Sequence, residues 1–187
     1  MTPKLAAAAV LLPVALGSAA EAATWTADPA KSRLGFSGQQ TGTPFTGRFK
    51  TWAATIDFDP AHPEAARIAA TVNTASATTD DPQKDEALPA ADWFDASQFA
   101  TATFAAAGFT PEGGDAYAAT GRLTLRGVSR DVMLPFTLTI AGDEAHARGH
   151  AKLVRTDFGV GQGTWSNGDY VALDVDVDVD LVATRKP

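Results

Sequence analysis

The clearest alternation of apolar and polar residues lies near the C-terminal end of the chain. Over residues 170–183, aliphatic side chains occupy one parity and aspartates the other. Successive side chains of a β-strand point to opposite faces, so this pattern predicts a long strand over 170–184 with one apolar and one polar face. The aliphatic set is Val171, Leu173, Val175, Val177, Val179 and Leu181, and the aspartates are Asp174, Asp176, Asp178 and Asp180.

Similar alternation recurs along most of the chain. Phe49 and Trp52 fall on opposite parities of one long pattern, which predicts a bulge or a bend between them. The pairs Gly113-Gly114 and Gly142-Asp143 are typical hairpin connections. The predicted strands before the last one cover 25–28, 32–37, 47–58, 68–72, 101–107, 117–125, 131–140 and 144–154.

One segment, 80–98, departs from alternation and predicts a short helical stretch that begins near Asp80 and stops at Pro89. The predicted fold class is therefore all-β, an extended eight-stranded antiparallel barrel with one helical segment. A two-sheet sandwich has the same periodicity and is the alternative. The length of the strands favours the barrel.

The N-terminal 22 residues predict a secretory signal peptide. A basic start with Lys4 precedes an apolar stretch over 5–16 and a small-x-small pattern at Ala20-Glu21-Ala22. A membrane anchor is the alternative, but the stretch is short for a ~30 Å hydrocarbon core and Pro13 interrupts it. The predicted organisation is a signal peptide over 1–22 and one domain over 23–187.

Composition narrows the function classes. The chain contains no cysteine, which excludes disulfides, a thiol nucleophile and lipid attachment through cysteine. Its net charge of −7 argues against nucleic acid as a partner. Together with the signal peptide, these features predict a soluble periplasmic protein.

The segment Glu144–Val154 carries two different faces. His146, Arg148, His150 and Lys152 share one parity and belong in water, so Ala145, Ala147, Gly149 and Ala151 face inward. Small residues inside a barrel leave unfilled volume, which predicts an elongated apolar ligand cavity. The alternative is that these alanines lie beneath the helical segment. The basic face can pair with the aspartates of the last strand, and aspartates two residues apart on a strand are too widely spaced to hold one calcium ion.

No motif of a known catalytic or nucleotide-binding class is recognisable. Arg155 and Asp157 form either a ligand-gripping or catalytic pair or a structural clasp, and the clasp is the favoured interpretation. The carboxylates around Asp85 form either an acid/base cluster or a solvated helix start, and the helix start is favoured. Four aromatic residues either line a ligand mouth or cap the core: Trp93, Phe94, Phe104 and Trp165.

An ordered set of motifs resembles the YceI family over nearly the whole segment after residue 23. Examples are Asp92-Trp-Phe94-Asp95 and Arg155-x-Asp157-Phe158-Gly159. Further matching segments cover 24–36, 47–52, 56–60, 78–86, 102–104 and 121–130.

The resemblance implies a lipocalin-like barrel whose apolar tunnel holds a long isoprenoid chain, such as a polyprenol or a ubiquinone-like quinone. It also implies export, a homodimer in many members, and a membrane cytochrome or another quinone-using membrane protein as a partner. The regular edge of the last strand could pair with a second copy. The residues expected to contact the lipid are Phe36, Phe49, Trp52, Ala70, Phe94, Phe104, Leu123, Phe136, Ala147, Phe158, Trp165 and Val177.

The expected function is thus that of a periplasmic lipid carrier without a catalytic site or a metal. Two alternatives remain open. One is a hydrolase or isomerase that acts on a bound lipid through Asp157 or the Asp85 region. The other is a structural or stress protein whose barrel is filled by its own side chains.

Overall fold

Within residues 23–186, the segments in which apolar and polar residues alternate form one antiparallel sheet of eleven strands. The computed structural model describes residues 23–186, so the predicted signal peptide over 1–22 lies outside the described part. The strands are β1 Ala23–Ala27, β2 Arg33–Gln40, β3 Thr43–Phe49, β4 Trp52–Phe58, β5 Arg67–Asn73, β6 Ala77–Thr78, β7 Thr101–Gly113, β8 Ala116–Leu125, β9 Val128–Ala141, β10 Glu144–Val154 and β11 Asp174–Arg185.

The sheet closes into the eight-stranded antiparallel barrel that the sequence predicts. Closure comes from β1, which pairs with β4 on one side and with β11 on the other. Six short strands occupy three positions of the barrel, because β1 and β2 follow one another along the wall, as do β3 and β4, and β5 and β6. Strands β7 to β11 supply the remaining five positions in chain order.

The breaks between successive short strands of the wall have local causes. The turn that begins at Asp28, whose carboxylate accepts a hydrogen bond from the Ala30 N–H, separates β1 from β2. The wall breaks at Lys50 and Thr51 between β3 and β4, which confirms the irregularity predicted between Phe49 and Trp52. Such breaks let a long strand bend, so the barrel can curve more tightly than unbroken strands allow.

The last strand differs from its prediction in two respects. It starts at Asp174, so the predicted start at Tyr170 is wrong. The backbone before it binds other groups, since the carbonyl oxygens of Val171 and Ala172 accept hydrogen bonds from the Arg155 side chain. The expectation that an edge of this strand could pair with a second copy is also wrong, because β11 pairs with β10 along one edge and with β1 and β2 along the other.

The outer faces of β10 and β11 carry the predicted ladder of opposite charges. His150 lies 2.9 Å from Asp178 and 3.3 Å from Asp176, and Arg148 lies 3.5 Å from Asp180. The strands pair in a register that places Arg148 opposite Asp180 and His150 opposite Asp178. The basic strand therefore offsets the repulsion among the aspartates, as the sequence predicts.

The segment after β6 contains the predicted helix, α1 Pro82–Ala87. Asp81 caps its start by accepting a hydrogen bond from the Gln83 N–H at 3.0 Å, and Pro82 occupies its first turn. Turns over 88–98 continue from it and return the chain to β7. Among residues 23–186, no helix has the length and apolar character that crossing a membrane requires.

Two apolar clusters lie inside the barrel. The first packs around Trp25, Phe58 and Phe109. The second packs around Phe36, Phe94 and Phe158 and includes Leu88 from the segment after α1. We call the segment 80–98 the lid, because its side chains close the barrel end that holds the second cluster.

Candidate functional site

The barrel encloses a cavity of about 310 Å³. Its lining includes Trp25, Phe58 and Phe109 from the first cluster and Phe36 and Phe158 from the second, so it extends between the two ends. An engineered apolar cavity of ~150 Å³ stays dry and binds benzene. This cavity is about twice that size, and the side chains of the described residues do not fill the interior.

Nearly all of the cavity lining is aliphatic or aromatic, and Arg155 is the one charged residue among its described members. Strand β10 contributes Ala145, Ala147 and Ala151 to the wall. The prediction that the small residues of β10 face inward is therefore confirmed. They leave room because their side chains end at Cβ, while the basic residues of the same strand point outward.

Eleven of the twelve predicted ligand-contacting residues line the cavity, while Trp165 lies outside the lining. Its ring packs against Trp93 at 5.7 Å and Tyr170 at 6.2 Å between centroids. Trp93 lines the cavity in its place. The eleven that line the cavity are Phe36, Phe49, Trp52, Ala70, Phe94, Phe104, Leu123, Phe136, Ala147, Phe158 and Val177.

Two glycines accommodate large rings of the cavity wall. A Cβ atom on Gly47 would lie 2.3 Å from the Phe36 ring, and one on Gly121 would lie 2.6 Å from the Phe104 ring. Each ring tip therefore occupies the space of a missing side chain on a nearby strand. The rings stay close to the wall as a result, and less of their volume enters the cavity.

Arg155 acts as a structural clasp, but its partners are backbone carbonyl groups, and the predicted pairing with Asp157 is wrong. Its side chain is 4% exposed, and burial lowers the pKa of its guanidinium. It donates hydrogen bonds to five backbone carbonyl oxygens, those of Val160, Trp165, Asn167, Val171 and Ala172, at 2.6–3.1 Å. The guanidinium thus holds the loop between β10 and β11 over one end of the cavity.

The carboxylates considered as candidate acids or bases lie away from the cavity lining. Asp157 is exposed. Asp85 accepts hydrogen bonds from the Thr78 hydroxyl and from the Thr79 N–H and hydroxyl, and these bonds lower its pKa. Asp85 thereby ties α1 to β6, which agrees with a structural role.

Asp80 has a comparable function at the start of the lid. Arg48 binds it with two hydrogen bonds of 2.7 and 3.1 Å, and this pairing lowers the pKa of Asp80. Within residues 23–186, no group of three or more histidine, aspartate or glutamate side chains is arranged to hold a metal ion. The described residues thus form an apolar cavity suited to a hydrophobic ligand.

Comparison with known proteins agrees with this geometry. A family model described as a YceI-like domain matches residues 25–183. The chain belongs to the YceI family. A relative from Pseudomonas savastanoi, called a UPF0312 protein, is 30% identical over 146 residues that cover 74% of each chain.

Solved structures of similar barrels include one of high similarity. The crystal structure of Burkholderia cenocepacia BcnA superposes with a TM-score of 0.82 at 34% identity, covering 84% of this chain and 99% of that one. A polyisoprenoid binding domain from Saccharophagus degradans has the same fold, with a TM-score of 0.66 at 13% identity, covering 87% of this chain and 98% of the other.

Leu88 from the lid and Val160 from the loop after β10 line this cavity without having been predicted to do so. Trp93, predicted to line a ligand mouth or to cap the core, also reaches the cavity from the lid. None of the three lies in an alternating strand, so parity carries no signal for them. The motif around Asp92-Trp-Phe94 identifies the lid as part of the YceI pattern. It does not indicate which side chains of the lid point into the cavity.

Proposed function

We propose that this protein binds a long-chain isoprenoid lipid, a polyprenol or a quinone, inside the barrel. The observation that carries the proposal is the apolar cavity of about 310 Å³ that extends between the two clusters. A lining of aliphatic and aromatic side chains favours a hydrocarbon chain over a polar ligand. The length of the cavity along the barrel favours an extended chain over a compact molecule.

The energetics of burial support the same class of ligand. Burial of a methylene-sized group contributes about 0.8 kcal/mol, so a few isoprene units suffice for micromolar or tighter binding. Arg155 adds little to this, since its guanidinium is engaged by five carbonyl groups. We therefore expect affinity to depend chiefly on the hydrocarbon chain and only weakly on the head group.

The relatives add support of a limited kind. The similar barrel from Saccharophagus degradans is described as a polyisoprenoid binding domain. Its identity to this chain is 13%, so the shared feature is the fold. A common barrel with an apolar interior makes a prenyl chain the first ligand to test here.

The cellular role is part of the proposal. The apolar stretch and small-residue motif within residues 1–22 favour export to the periplasm. There the protein would store a lipid or deliver it to a membrane protein that uses quinones, such as a cytochrome. A homodimer stays a prediction. Because both edges of β11 are paired within the barrel, the two copies would have to meet through another surface.

A carrier agrees better with the geometry than the two alternatives. A lipid-modifying hydrolase or isomerase would need an acid or base at the cavity, yet Asp157 is exposed and Asp85 binds Thr78 and Thr79. A structural protein with a filled barrel would not retain a cavity of this volume, because protein interiors are normally close-packed.

Lipid extraction tests the proposal directly. The protein is purified from its native host without detergent, extracted with organic solvent, and the extract analysed by mass spectrometry. We expect one class of prenyl lipid in near-stoichiometric amount, and its mass distinguishes a polyprenol from a quinone. Absence of any prenyl lipid from the extract, together with no binding of added polyprenol or quinone, would refute the proposal.

A further inference from the structure

The barrel wall contains a seam where two neighbouring strands stop pairing. Strands β9 and β10 pair from Glu144 opposite Ala141 to Gly149 opposite Phe136. The described ladder between them ends there, although β9 extends back to Val128 and β10 extends forward to Val154. The edges over 128–135 and 150–154 therefore carry no described β-ladder between them.

Pro135 stands where the ladder ends. Proline has no N–H to donate, so it can interrupt pairing on one edge of a strand. The ladder between β9 and β8 continues through Pro135 opposite Ala118 and as far as Val128. The ladder between β10 and β11 continues through Val154. Each of the two strands therefore stays paired with its other neighbour, β9 with β8 and β10 with β11. The loss of pairing is confined to the boundary between β9 and β10.

The seam separates the cavity from solvent. Val132 and Leu134 of β9 line the cavity on one side, and Ala151 and Leu153 of β10 line it on the other. On the outer surface, Met133 is 60% exposed and Val154 is 37% exposed. These belong to the three large apolar side chains that are exposed among the described residues, so each strand that flanks the seam carries an exposed apolar side chain.

Both ends of the barrel are closed by denser contacts. At one end, Trp25, Phe58 and Ala66 are at most 2% exposed. At the other end, the Asp92 carbonyl accepts hydrogen bonds of 2.8 Å from both Gly161 and Gln162.

Arg126 adds to the closure at the lid end. Its guanidinium donates to the carbonyl oxygens of Ala91 and Trp93 at 2.5 and 2.8 Å. Opening the lid would break these bonds together with those of Asp85 and Asp80, whereas separating β9 from β10 at the seam breaks no described ladder bond.

We propose that the β9–β10 seam is the lateral portal through which a hydrocarbon chain enters and leaves the cavity. This inference rests on the proposed lipid-binding function and names the route for the same site. A flexible chain can thread sideways between the two strands while the head group remains in water. Met133 suits the rim because its unbranched thioether side chain adapts to a passing apolar chain.

Cross-linking across the seam tests the portal. If the ladder continued in the same register, Met133 would lie opposite Lys152, and both side chains point outward. The chain contains no native cysteine, so Met133→Cys with Lys152→Cys can be joined selectively by a short bismaleimide. The matched control is Thr137→Cys with Arg148→Cys, which are register partners where the same two strands already pair.

Uptake of cis-parinaric acid, whose fluorescence rises in an apolar site, is followed by stopped flow before and after cross-linking. We expect the seam cross-link to slow both association and dissociation by about tenfold or more, because the route is blocked, with the equilibrium dissociation constant changed less than about twofold. The control cross-link should leave both rates within about twofold of the uncross-linked variant.

The outcomes separate the two proposals. If the native chain binds parinaric acid and the seam cross-link leaves the rates equal to the control, the portal is wrong and the lid is the route. If the native chain takes up neither parinaric acid nor a prenyl lipid, the proposed function fails and the portal fails with it.

Discussion

At the scale of single residues, the width of the cavity depends on phenylalanine rings that pack directly against glycines of the wall. Phe36 lies opposite Gly47 across the β2–β3 ladder, and its ring tip fills the space of the missing Cβ. Any side chain at Gly47 must push the ring aside. The ring lines the cavity, so we expect it to move further into the cavity when it is displaced from Gly47.

We predict that Gly47→Ala destabilises the protein and narrows the cavity. The added methyl would approach the Phe36 ring to 2.3 Å, and overpacking of this kind costs about 1–3 kcal/mol of unfolding free energy. Gly35→Ala on the neighbouring strand is the control, because its nearest contact would be 3.4 Å. Urea denaturation measures both, and equal stability of the two variants would contradict the packing argument.

Arg155 carries a second prediction at this scale. Arg155→Met keeps an unbranched side chain but leaves the carbonyl groups of the β10–β11 loop without their donor. We expect a loss of about 3–5 kcal/mol in the free energy of unfolding, which is typical when one partner of a buried charged network is removed. Arg148→Met is the control, because Arg148 forms only an exposed ion pair of 3.5 Å.

The measurement is chemical denaturation of both variants under the same conditions. Arg148→Met should stay within about 0.5 kcal/mol of the native chain, as is usual for exposed ion pairs. A mild effect of Arg155→Met, similar to that of the control, would show that the clasp is dispensable.

Residue-level prediction from the sequence succeeds where parity applies. Ala70, Leu123 and Val177 lie in regular strands. The alternation of apolar and polar residues along each strand therefore indicates that they face the interior. Trp165 and Arg155 lie at strand ends or in loops. Their partners depend on the path of the loop over 160–172, which no local pattern encodes.

At the scale of elements, β10 and β11 form the charged outer wall. Hydrogen bonding to Asp178 raises the pKa of His150, and hydrogen bonding to His146 lowers the pKa of Asp180. The two strands pair over the whole length of β10. The ladder therefore couples the stability of this wall to pH.

We predict that His150 stabilises the native chain more in mild acid than in mild base. A histidine whose pKa is raised by folding gives its full contribution below the unfolded value of about 6.5 and loses it as the pH rises through the folded value. Because His150 is 57% exposed in its side chain, we expect only about 0.2–0.5 kcal/mol. The difference in unfolding free energy between the native chain and His150→Gln should shrink between pH 6 and about pH 8.

Urea titrations at several pH values measure this difference. Asp178→Asn should reduce the same pH-dependent contribution, since it removes the hydrogen-bond partner. Arg148→Gln should not, because arginine does not titrate in this range. A constant difference between the native chain and His150→Gln across the range would be inconsistent with the ladder.

Element prediction is strong in the regular strands and weak at their boundaries. The predicted strand 144–154 coincides with β10, because apolar and polar residues alternate throughout it. The predicted start of β11 fails by four residues, since Tyr170 to Leu173 continue the apolar pattern while their backbone binds Arg155 and Gln39. Tertiary hydrogen bonds, which the alternation does not report, decide where that strand begins.

At the scale of the whole molecule, the closed barrel retains a cavity because small residues line one side of it. Ala147 lies on the inner face of β10, opposite Leu181 of β11. A large side chain at this position would project into the cavity. The same substitution on the outer face would meet solvent.

We therefore predict that Ala147→Trp blocks ligand binding while the barrel still folds. We expect the affinity for cis-parinaric acid to fall by about tenfold or more, because the indole occupies volume that the chain requires. Ala105→Trp is the control, since Ala105 is exposed on β7. Equilibrium fluorescence titration measures affinity, and circular dichroism confirms folding.

An unchanged affinity in Ala147→Trp would mean that the ligand binds elsewhere. A loss of affinity in both tryptophan variants would point to a general loss of structure. Unchanged affinity in Ala147→Trp is the result that is incompatible with a lipid threaded past β10.

At the scale of the whole molecule, too, some features can be predicted from the sequence and others cannot. Closure and the inner cavity follow from strand number, strand length and the small residues of β10. The seam does not, because it depends on the register at which β9 and β10 separate near Pro135. A proline within a strand pattern marks a weakened edge, but the edge on which pairing stops is visible only in three dimensions.

The pairing of β1 with β11 has a consequence for how the protein folds. Trp25 meets Arg185 in this ladder, so the contact that closes the barrel joins the two most distant strands in the chain. Contacts of such long sequence separation form late and slowly. Until they form, the open sheet exposes its apolar face and two unpaired edges, which are templates for intermolecular aggregation. The nascent chain is therefore at greatest risk just before its final strand docks, and a prenyl lipid that reaches it at that stage would shelter the face that water must otherwise cover.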